Sequence, residues 1–342
     1  MKLVYSDKHA RHDPQSFVVR GTRQRSTEQP ERATRLLAAA IEAGHQVVAP
    51  RSYGEAPAAT VHRPEYLDFL KVAAREWAKL PGASEEVTPN VHPARYPATY
   101  PTGLAGRAGW HQFDLAAPIG PHTWEAALAA TELAATATDL VLEGAREAYA
   151  LCRPPGHHAY SDMAGGFCFL NNSAVAAQRL RGRHQRVAVV DVDVHHGNGT
   201  QGIFFERDDV LTVSIHADPN FYYPYFWGHA QESGAGKGLG FNLNLPLPLG
   251  SPDAPWLEAG DKALARVREF APTALVVALG LDASESDPLQ GLKVTGPGFH
   301  AMAKKIAGLG LPTVLVQEGG YLSDDLGHNL VHFLKGFEEG RP

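Results

Sequence analysis

Cysteine and long apolar runs are both scarce in this sequence, and each scarcity excludes a class of protein. The 342 residues include two cysteines, Cys152 and Cys168, too few for a disulfide scaffold and typical of a reducing compartment. No uninterrupted apolar run approaches the roughly 18 residues that a membrane-spanning helix needs, and the first residues lack the apolar stretch of a secretory signal peptide. We therefore expect a cytoplasmic protein without a membrane partner.

A strong excess of charge of one sign is also missing. Lys and Arg number 31 against 37 Asp and Glu, a net charge of −6, so the electrostatics predict no nucleic-acid partner. Apolar residues make up 44 % and charged residues 20 % of the chain, which indicates a globular protein with a large core rather than a disordered or fibrous one. Histidine is abundant, with 17 residues, and an enzyme is the leading class.

Continuous runs of Val, Leu and Ala alternate along the chain with longer helical patterns. Strands are predicted at residues 2–6, 148–152, 186–192, 210–216, 274–281 and 312–318. Helices are predicted at residues 30–44, 65–80, 124–145, 170–182, 255–270 and 297–310. Strands without polar alternation are typical of a parallel sheet buried on both faces. The repeated strand–helix–strand order therefore predicts an α/β fold, a single doubly wound domain over residues 1–342 with a mainly parallel central sheet.

Residues 81–123 interrupt this alternation of predicted strands and helices. The segment has seven prolines and no convincing periodicity, and it exceeds the length of about 12–15 residues beyond which loops are uncommon in compact domains. Its aromatic side chains, among them Trp110 and Phe113, argue against a disordered linker because aromatic rings favour burial. We expect an ordered insertion that shapes a pocket or forms the contact of a homodimer. A surface excursion without a role is the alternative.

Residues able to bind metal or catalyse proton transfer end or follow five of the predicted strands. They lie at positions 153–158, 191–199, 216, 282 and 318–321. In an open parallel sheet, ligands bind outside the carboxyl ends of the strands. Their common placement predicts one site built from all five segments.

The run Asp-Val-Asp-Val-His is the first candidate metal site. Side chains two residues apart in an extended chain point to the same side, so Asp191, Asp193 and His195 share a face and any pair can bind a divalent ion. Asp282 is a candidate third ligand. Two carboxylates and an imidazole leave positions for water and substrate, and they suit Zn²⁺, Fe²⁺ or Mn²⁺. The alternative, a solvated strand end, leaves two carboxylates on a buried strand without a counter-charge.

His157, His158 and Tyr321 are the candidate reacting groups. The histidines follow a Pro-Pro-Gly turn that fixes the backbone, and a histidine near a metal-bound water can take its proton and return one to a leaving amine. Tyr321 follows two glycines, which give clearance for a close approach to a substrate carbonyl. Alternatively, the histidines are satisfied loop residues and the tyrosine packs in the core.

Five motifs in this order resemble the zinc-dependent histone deacetylase family, which has the arginase–deacetylase fold. They are RPPGHHA at 153–159, GGFCFLNN at 165–172, DVDVHHGNGT at 191–200, LGLDASESDPL at 279–289 and EGGY at 318–321. The length, the proline-rich insertion and the HHGNGT form look most like the bacterial acetylpolyamine amidohydrolases and related deacetylase-like amidohydrolases. The resemblance extends to nearly the whole chain.

The resemblance implies a role for each motif residue. It implies that Asp193, His195 and Asp282 bind a zinc ion, with Fe²⁺ as the alternative metal. It implies that His158 is the catalytic general base and acid and that His157 is its electrostatic partner. Asp191 and Asn198 are then the catalytic residues that face the two histidines, and Tyr321 is the hydroxyl donor. It implies that Gly166, Phe167 and Tyr223 form the wall of a narrow tunnel. It implies a structural K⁺ or Na⁺ near Asp191, Asp193, His195, Ser214 and Ile215.

The activity that the resemblance implies is hydrolysis of a small acetylated amine to acetate and a free primary amine. An acetylpolyamine is the first substrate. Three alternatives stay open: deacetylation of acetyl-lysine in a protein or peptide, non-catalytic sensing of acetylated ligands, and arginase-like guanidino hydrolysis.

The segment expected at the pocket mouth is basic. It is an N-terminal loop with three arginines, Arg20, Arg23 and Arg25. Acetylpolyamine amidohydrolases are expected to place carboxylates there, but the second half of the insertion offers only Asp114. Arginines at the mouth repel polyamines and favour a substrate with an anionic end. In the alternative, they face solvent or pair with Glu28 and Glu31.

Overall fold

The computed structural model describes residues 1–94 and 97–342, and its centre is a sheet of eight strands. In chain order the strands are β1 (Lys2–Val4), β2 (Ser16–Val19), β3 (Thr22–Arg25), β4 (Gln46–Val48), β5 (Glu147–Ala150), β6 (Val187–Asp191), β7 (Val210–Ala217), β8 (Asn242–Leu247), β9 (Ala274–Leu279) and β10 (Thr313–Gln317). The order across the sheet is β4-β1-β5-β10-β9-β6-β7-β8, with every neighbouring pair parallel. The strands β2 and β3 form a separate antiparallel hairpin.

Helices connect the strands and cover both faces of the sheet. In chain order they are α1 (Glu31–Glu42), α2 (Pro64–Trp77), α3 (Leu104–His111), α4 (Thr123–Leu142), α5 (Asn172–Leu180), α6 (Asn198–Phe204), α7 (Asp253–Phe270), α8 (Gly296–Ala307) and α9 (Leu326–Glu339). None of the helices in the described residues is long and apolar enough to cross a membrane.

Burial of the sheet on both faces explains the unbroken apolar runs of its central strands. In β6, Ala188 and Val190 pack in the apolar core on one face, whereas Val187 and Val189 pack in the core on the other. The first core is completed by α1, α7, α8 and α9, and the second by α4 and α5. Each fully buried side chain the size of Val or Leu contributes about 1.5–3 kcal/mol. Packing on both sides therefore fixes the strand ends from which the site is built.

The predicted α/β fold is confirmed, and the differences lie at its edges. The six predicted strands correspond to β1, β5, β6, β7, β9 and β10, and the six predicted helices are present with slightly shifted ends. The two edge strands, β4 and β8, were missed. β4 has three partly or fully exposed residues, and β8 alternates buried asparagine with half-buried leucine. Edge strands pack on fewer neighbours, so their apolar signal is weaker.

Residues 81–123 contain regular structure that the sequence pattern did not predict. The helix α3 lies within them, and Val87 pairs with Ile119 across an isolated antiparallel bridge. Both side chains pack with Tyr66 of α2 in a separate apolar cluster. α3 has eight residues and two glycines, too short and too weakly patterned for helical periodicity to be recognised. Residues 95 and 96 of the segment lie outside the described residues.

Residues 16–25, expected as a loop, form the β2–β3 hairpin instead. Its two-residue turn is Arg20-Gly21, with φ of +51° and +77°, the combination of a type I′ turn that matches the twist of paired strands. Phe17 of β2 packs edge-on against Phe167 with ring centroids 5.3 Å apart. The hairpin is thereby held beside the carboxyl ends of the strands. The glycine in the turn was the sequence signal available for it.

Candidate active site

A cavity of about 450 Å³ opens at the carboxyl ends of the strands. It contains His158, His195 and Tyr321, which follow β5, β6 and β10 in the chain. Its walls come from the β2–β3 hairpin, from residues 113–116 and from the aromatic run 221–227. Segments that are far apart in sequence therefore enclose the predicted reacting groups in one pocket.

Asp193, His195 and Asp282 form a buried group whose ligand atoms all lie within 4.8 Å of one another. Nδ1 of His195 is 3.0 Å from Oδ1 of Asp193 and 3.2 Å from Oδ2 of Asp282. These separations are close to the roughly 3.3 Å between neighbouring ligands of a tetrahedral zinc ion. Oδ2 of Asp282 is buried and accepts no hydrogen bond from the described residues, so it is available as a metal ligand. The donor set fits a divalent metal and leaves a position open.

Backbone groups hold the two carboxylates in place. The N–H of Gly319 donates to Oδ2 of Asp193 at 2.8 Å, and the N–H of Val194 donates to Oδ1 of Asp282 at 3.0 Å. Burial alone would raise the pKa of Asp193, but the positive charge of His157 lowers it below its usual range. Burial and the charge of Asp193 raise the pKa of Asp282. Carboxylates oriented by fixed donors are preorganised for a metal ion.

Asp191 does not share the metal-facing side with Asp193 and His195, so the extended-strand expectation is wrong at this point. β6 ends at Asp191, and a side-chain period of two applies only while the chain stays extended. Oδ2 of Asp191 instead accepts a hydrogen bond from Nδ1 of His157 at 2.9 Å. The carboxylate of Asp191 thus contacts the ring of His157 and is not part of the group of candidate metal ligands.

His157 and His158 lie side by side, with ring centroids 4.1 Å apart, and they differ in charge. Burial would lower the pKa of His157, but the charges of Asp193 and Asp191 raise it to about 10, so this ring is protonated. Burial lowers the pKa of His158 well below its usual value, and the charge of His157 lowers it further. Nδ1 of His158 donates to Oδ1 of Asn198 at 2.6 Å, which leaves the lone pair of the neutral ring on Nε2. One histidine is a fixed cation and the other is a free base.

Tyr321 lies in the pocket with its ring edge-on to Phe167, centroids 5.7 Å apart. Burial raises the pKa of Tyr321 well above its usual value, so the hydroxyl stays protonated and can donate a hydrogen bond. The guanidinium of Arg32 lies 4.6 Å from the centre of the same ring and donates to the backbone oxygen of Glu318 at 2.7 Å. Sequence reasoning did not find this support, because the pattern of α1 does not distinguish a buried arginine from an exposed one.

Gly166, Phe167 and Tyr223 line the pocket, at the positions where the resemblance implies a tunnel. A side chain on Gly166 would collide with the ring of His158, so only glycine leaves room there. Tyr223 approaches His158 edge-on, with ring centroids 5.0 Å apart. The walls next to His158 are therefore aromatic and close together, which suits a linear aliphatic chain.

Two residues of the pocket were misplaced or missed by sequence reasoning. Asp114, expected as an acid at the mouth, is half-buried in the wall, where its Oδ2 accepts hydrogen bonds from the hydroxyl of Tyr223 at 2.6 Å and from the N–H of Gly166 at 2.9 Å. Burial raises the pKa of Asp114, and these hydrogen bonds oppose the increase. Tyr222 stacks on His195, with centroids 5.1 Å apart and 19° between the rings. The dense aromatic run around Tyr222 was the available signal.

Of the three arginines in the hairpin, Arg20 lines the pocket mouth, and Arg23 and Arg25 do not. Nε of Arg23 donates to the hydroxyl of Ser16 on the facing strand at 2.6 Å. Arg25 forms an ion pair with Asp13 at 3.4 Å. Arg20 is thus the one arginine of this segment that lies beside the path of an incoming substrate.

The alternative in which these arginines pair with Glu28 and Glu31 is wrong. Glu28 is fully buried and binds Arg32 at 2.7 Å and Arg153 at 2.8 Å, whereas Glu31 pairs with Arg35 at 2.8 Å. A buried carboxylate needs buried counter-charges, which exposed arginines of a hairpin do not provide. The Glu28 cluster ties α1 to the segment that carries the histidine pair.

The residues expected around a monovalent cation lie on neighbouring chain segments. The register of β6 and β7 places Ser214 opposite Asp191, and Ile215 follows in β7. The N–H of Asp193 donates to Oδ1 of Asp191 at 3.1 Å. The hydroxyl of Ser214 lies 2.8 Å from Nδ1 of His216.

Residues 26–337 match the histone deacetylase domain family, so the chain belongs to this family and the predicted deacetylase class of enzyme is confirmed. The family implies a metal cofactor, and the buried group of two aspartates and a histidine is its candidate site.

Relatives of similar length are found in bacteria. Acetylpolyamine amidohydrolase 1 of Pseudomonas aeruginosa is 44 % identical, and the match covers 99 % of both chains. The acetylpolyamine amidohydrolase of Burkholderia pseudomallei is 48 % identical over 95 % of both chains. A crystal structure of acetylpolyamine aminohydrolase from Burkholderia pseudomallei superposes with a TM-score of 0.96, at 47 % identity and with full coverage of both chains. The predicted family and fold class are therefore confirmed.

Proposed function

We propose that the protein hydrolyses the acetyl amide of a small N-acetylated primary amine, first of all an acetylpolyamine, to acetate and the free amine. The observation that carries this proposal is the convergence in one narrow pocket of an open three-ligand metal group, a neutral histidine and a protonated tyrosine. Hydrolysis of an amide by water uses these groups. The relatives named acetylpolyamine amidohydrolases support an acetylpolyamine as the substrate.

Asp193, His195 and Asp282 are the proposed ligands of a zinc ion, with Fe²⁺ as the alternative metal. A metal bound there supplies Lewis-acid polarisation of the amide carbonyl and lowers the pKa of a bound water. The stacked ring of Tyr222 and the donor groups on the carboxylates keep the three side chains aligned.

His158 is the proposed general base and acid. Its neutral ring is oriented by Asn198 and keeps Nε2 free, so it can take a proton from the attacking water and deliver it to the leaving nitrogen. The protonated His157, fixed by Asp191, remains a cation beside it and stabilises negative charge that develops nearby.

Tyr321 is the proposed hydrogen-bond donor to the carbonyl oxygen as negative charge develops on it. Phe167 packs on its ring, and with Gly166 and Tyr223 it forms the proposed tunnel for the methylene chain of the amine. The scheme uses water as the nucleophile. The two buried cysteines, whose pKa values burial raises, take no part in it.

The proposal includes one catalytic domain over residues 1–342, with residues 81–123 as an insertion. It also includes a structural K⁺ or Na⁺ near Asp191, Asp193, His195, Ser214 and Ile215. The two free buried thiols support a reducing, cytoplasmic location.

A homodimer through residues 81–123 is part of the same proposal. Val91 in this segment is 61 % exposed, and Tyr100 is 39 % exposed, so apolar surface is available for a partner copy. Sedimentation of Val91→Asp tests this contact. Dimer dissociation supports it, and an association state equal to that of the unchanged protein contradicts it.

Acetate release by the purified, zinc-loaded protein tests the activity. The panel contains acetylputrescine, acetylcadaverine, acetylspermidine, free Nε-acetyl-lysine, an acetyl-lysine peptide and an N-acetyl amino acid. We expect turnover of the acetylated diamines and a fall in kcat of about 10²–10³ in Tyr321→Phe. Tyr53→Phe removes a hydroxyl that bonds Asp139 outside the pocket and is the matched control. Turnover confined to the peptide contradicts the assignment to small amines.

An acetylated amine with an anionic end is the second candidate substrate, because Arg20 lines the pocket mouth. A guanidinium attracts a carboxylate and repels an ammonium. Turnover confined to the panel members that carry a carboxylate would favour this candidate over an acetylpolyamine.

A further inference from the structure

Charges of opposite sign lie at the two ends of the pocket. Apart from the two site histidines, Asp114 and Arg20 are the charged side chains among the described residues that line it. Asp114 is bound to Tyr223 and Gly166, which both adjoin the ring of His158, so the carboxylate lies near the candidate reacting groups. Arg20 is exposed at the tip of the hairpin. An extended substrate therefore passes first the guanidinium and then the carboxylate.

Arg20 is held at the mouth by a structured element. The type I′ turn fixes its backbone, and Phe17 docks the hairpin on Phe167. Arg23 and Arg25 bind neighbours within the N-terminal segment, whereas Arg20 makes no ion pair with the described residues. Its charge is therefore neither neutralised by a carboxylate nor carried on an unstructured loop.

We propose that Arg20 selects among acetylated polyamines by length. A monoacetylated diamine, which has one ammonium, is favoured over a longer polyamine whose second ammonium reaches the mouth. The inference rests on the proposed function. The ammonium nearer the scissile amide stays on the Asp114 side of the pocket, whereas an ammonium on a further arm meets the Arg20 guanidinium. Like charges at such a solvated position repel each other, and salt weakens the repulsion.

Exposed aromatic rings at the mouth oppose the repulsion between Arg20 and a substrate ammonium. They belong to Phe221, Tyr225 and Phe226, with 70 %, 48 % and 73 % of their surface exposed. Aromatic faces attract an ammonium of either substrate. Because these rings are the same with and without Arg20, comparison of variants isolates the effect of the arginine.

The experiment compares kcat/KM for two substrates that share one reacting end. Acetylputrescine and the acetylspermidine acetylated on its aminobutyl end both present an acetamidobutyl group, and they differ by an aminopropyl arm. A third substrate carries a propyl arm without the terminal amine and separates the effect of size from that of charge.

Three variants make the comparison specific. Arg20→Asn removes the charge and keeps the turn, because asparagine is favoured at positive φ in a type I′ turn. Arg20→Lys keeps the charge. Arg23→Gln removes the same charge from the same hairpin, outside the pocket lining.

We expect Arg20→Asn to raise the ratio of kcat/KM for acetylspermidine over acetylputrescine about threefold to fivefold. Arg20→Lys and Arg23→Gln keep the wild-type ratio, and added salt shifts the wild-type ratio in the direction of Arg20→Asn. The propyl-arm substrate shows no such shift. An unchanged ratio in Arg20→Asn, or an equal shift in Arg23→Gln, overturns the inference and leaves the proposed function standing. A wild-type enzyme that turns over none of the acetylated amines overturns the proposed function and the inference with it.

Discussion

The floor and the rim of the pocket are built in different ways. The floor consists of the residues that follow β5, β6, β9 and β10, and its side chains are buried, as for Asp193 at 0 % and His195 at 7 % exposure. The wall and the rim above it consist of the β2–β3 hairpin and of residues 113–116 and 221–227, and the rim includes exposed rings such as Phe226 at 73 % exposure. The candidate reacting groups thus lie at the buried ends of the strands, whereas contact with the rest of a substrate falls to elements that can change without disturbing them.

The energetics of the two regions follow from this difference. Floor residues are charged and buried, and removal of one partner of a buried ion pair costs about 3–5 kcal/mol because the other charge is left unpaired. The Glu28 cluster behind the floor belongs to this kind. Exposed charges of the rim contribute at most about 1 kcal/mol each. Substitutions on the floor should therefore impair catalysis strongly, and substitutions on the rim should alter substrate preference.

Removal of the metal is expected to have the largest effect. Dialysis against a chelator should abolish acetate release, and added zinc should restore it, because Asp193, His195 and Asp282 are the proposed ligands of the metal on which hydrolysis depends. Asp282→Ala should fail to retain metal by elemental analysis, whereas Asp261→Ala, on an exposed aspartate paired with Lys305, should retain it. Full activity of the metal-free protein would refute the proposed metal-dependent hydrolysis.

His158→Gln is expected to have the next largest effect. The variant should lose about 10²–10⁴ in kcat, since the free base is gone, and it should keep its metal. His328→Gln, on the exposed surface of α9, is the control and should keep wild-type kcat. A loss of metal together with kcat would show that His158 acts on the ligand group instead.

Asp191→Asn tests how the carboxylate of Asp191 supports His157 in the floor of the pocket. Loss of the carboxylate beside His157 should lower the pKa of that imidazole from about 10 and reduce kcat about 10–100-fold. Titration of His157 by NMR checks the pKa, and steady-state kinetics checks kcat. If kcat falls while the pKa stays the same, Asp191 does not act through the charge of His157.

Asp114→Asn and Tyr223→Phe are expected to have the smallest effect, because they alter the wall and leave the floor intact. Tyr223→Phe removes the hydrogen bond between the two side chains, and Asp114→Asn removes the charge that strengthens it. Each should therefore raise KM several-fold with less change in kcat, and the double variant should be little worse than either single one. A double-mutant cycle in kcat/KM measures this coupling. Additive effects would show that the two side chains act separately.

The sequence alone supports most of the fold and the floor. Parallel strands leave long apolar runs, and the polar residues that follow them meet at one edge whatever the details of packing. The two edge strands, the hairpin and α3 escaped recognition because short or half-exposed elements leave weak patterns. The side chain of Asp191 was misplaced because the extended conformation ends at that residue.

The sequence by itself determined the α/β architecture, because the apolar runs of a buried parallel sheet are a local pattern. The strand ends and the family resemblance together indicated the candidate metal ligands Asp193, His195 and Asp282 and the candidate reacting groups His158 and Tyr321. Tertiary structure alone decided which side chains form the wall and the rim of the pocket. Asp114 is half-buried in the wall because it binds Tyr223, a residue 109 positions away, and Arg20 rather than Arg23 lines the pocket because the hairpin docks through Phe17. Burial and facing direction arise from contacts between distant segments, and no local pattern records them.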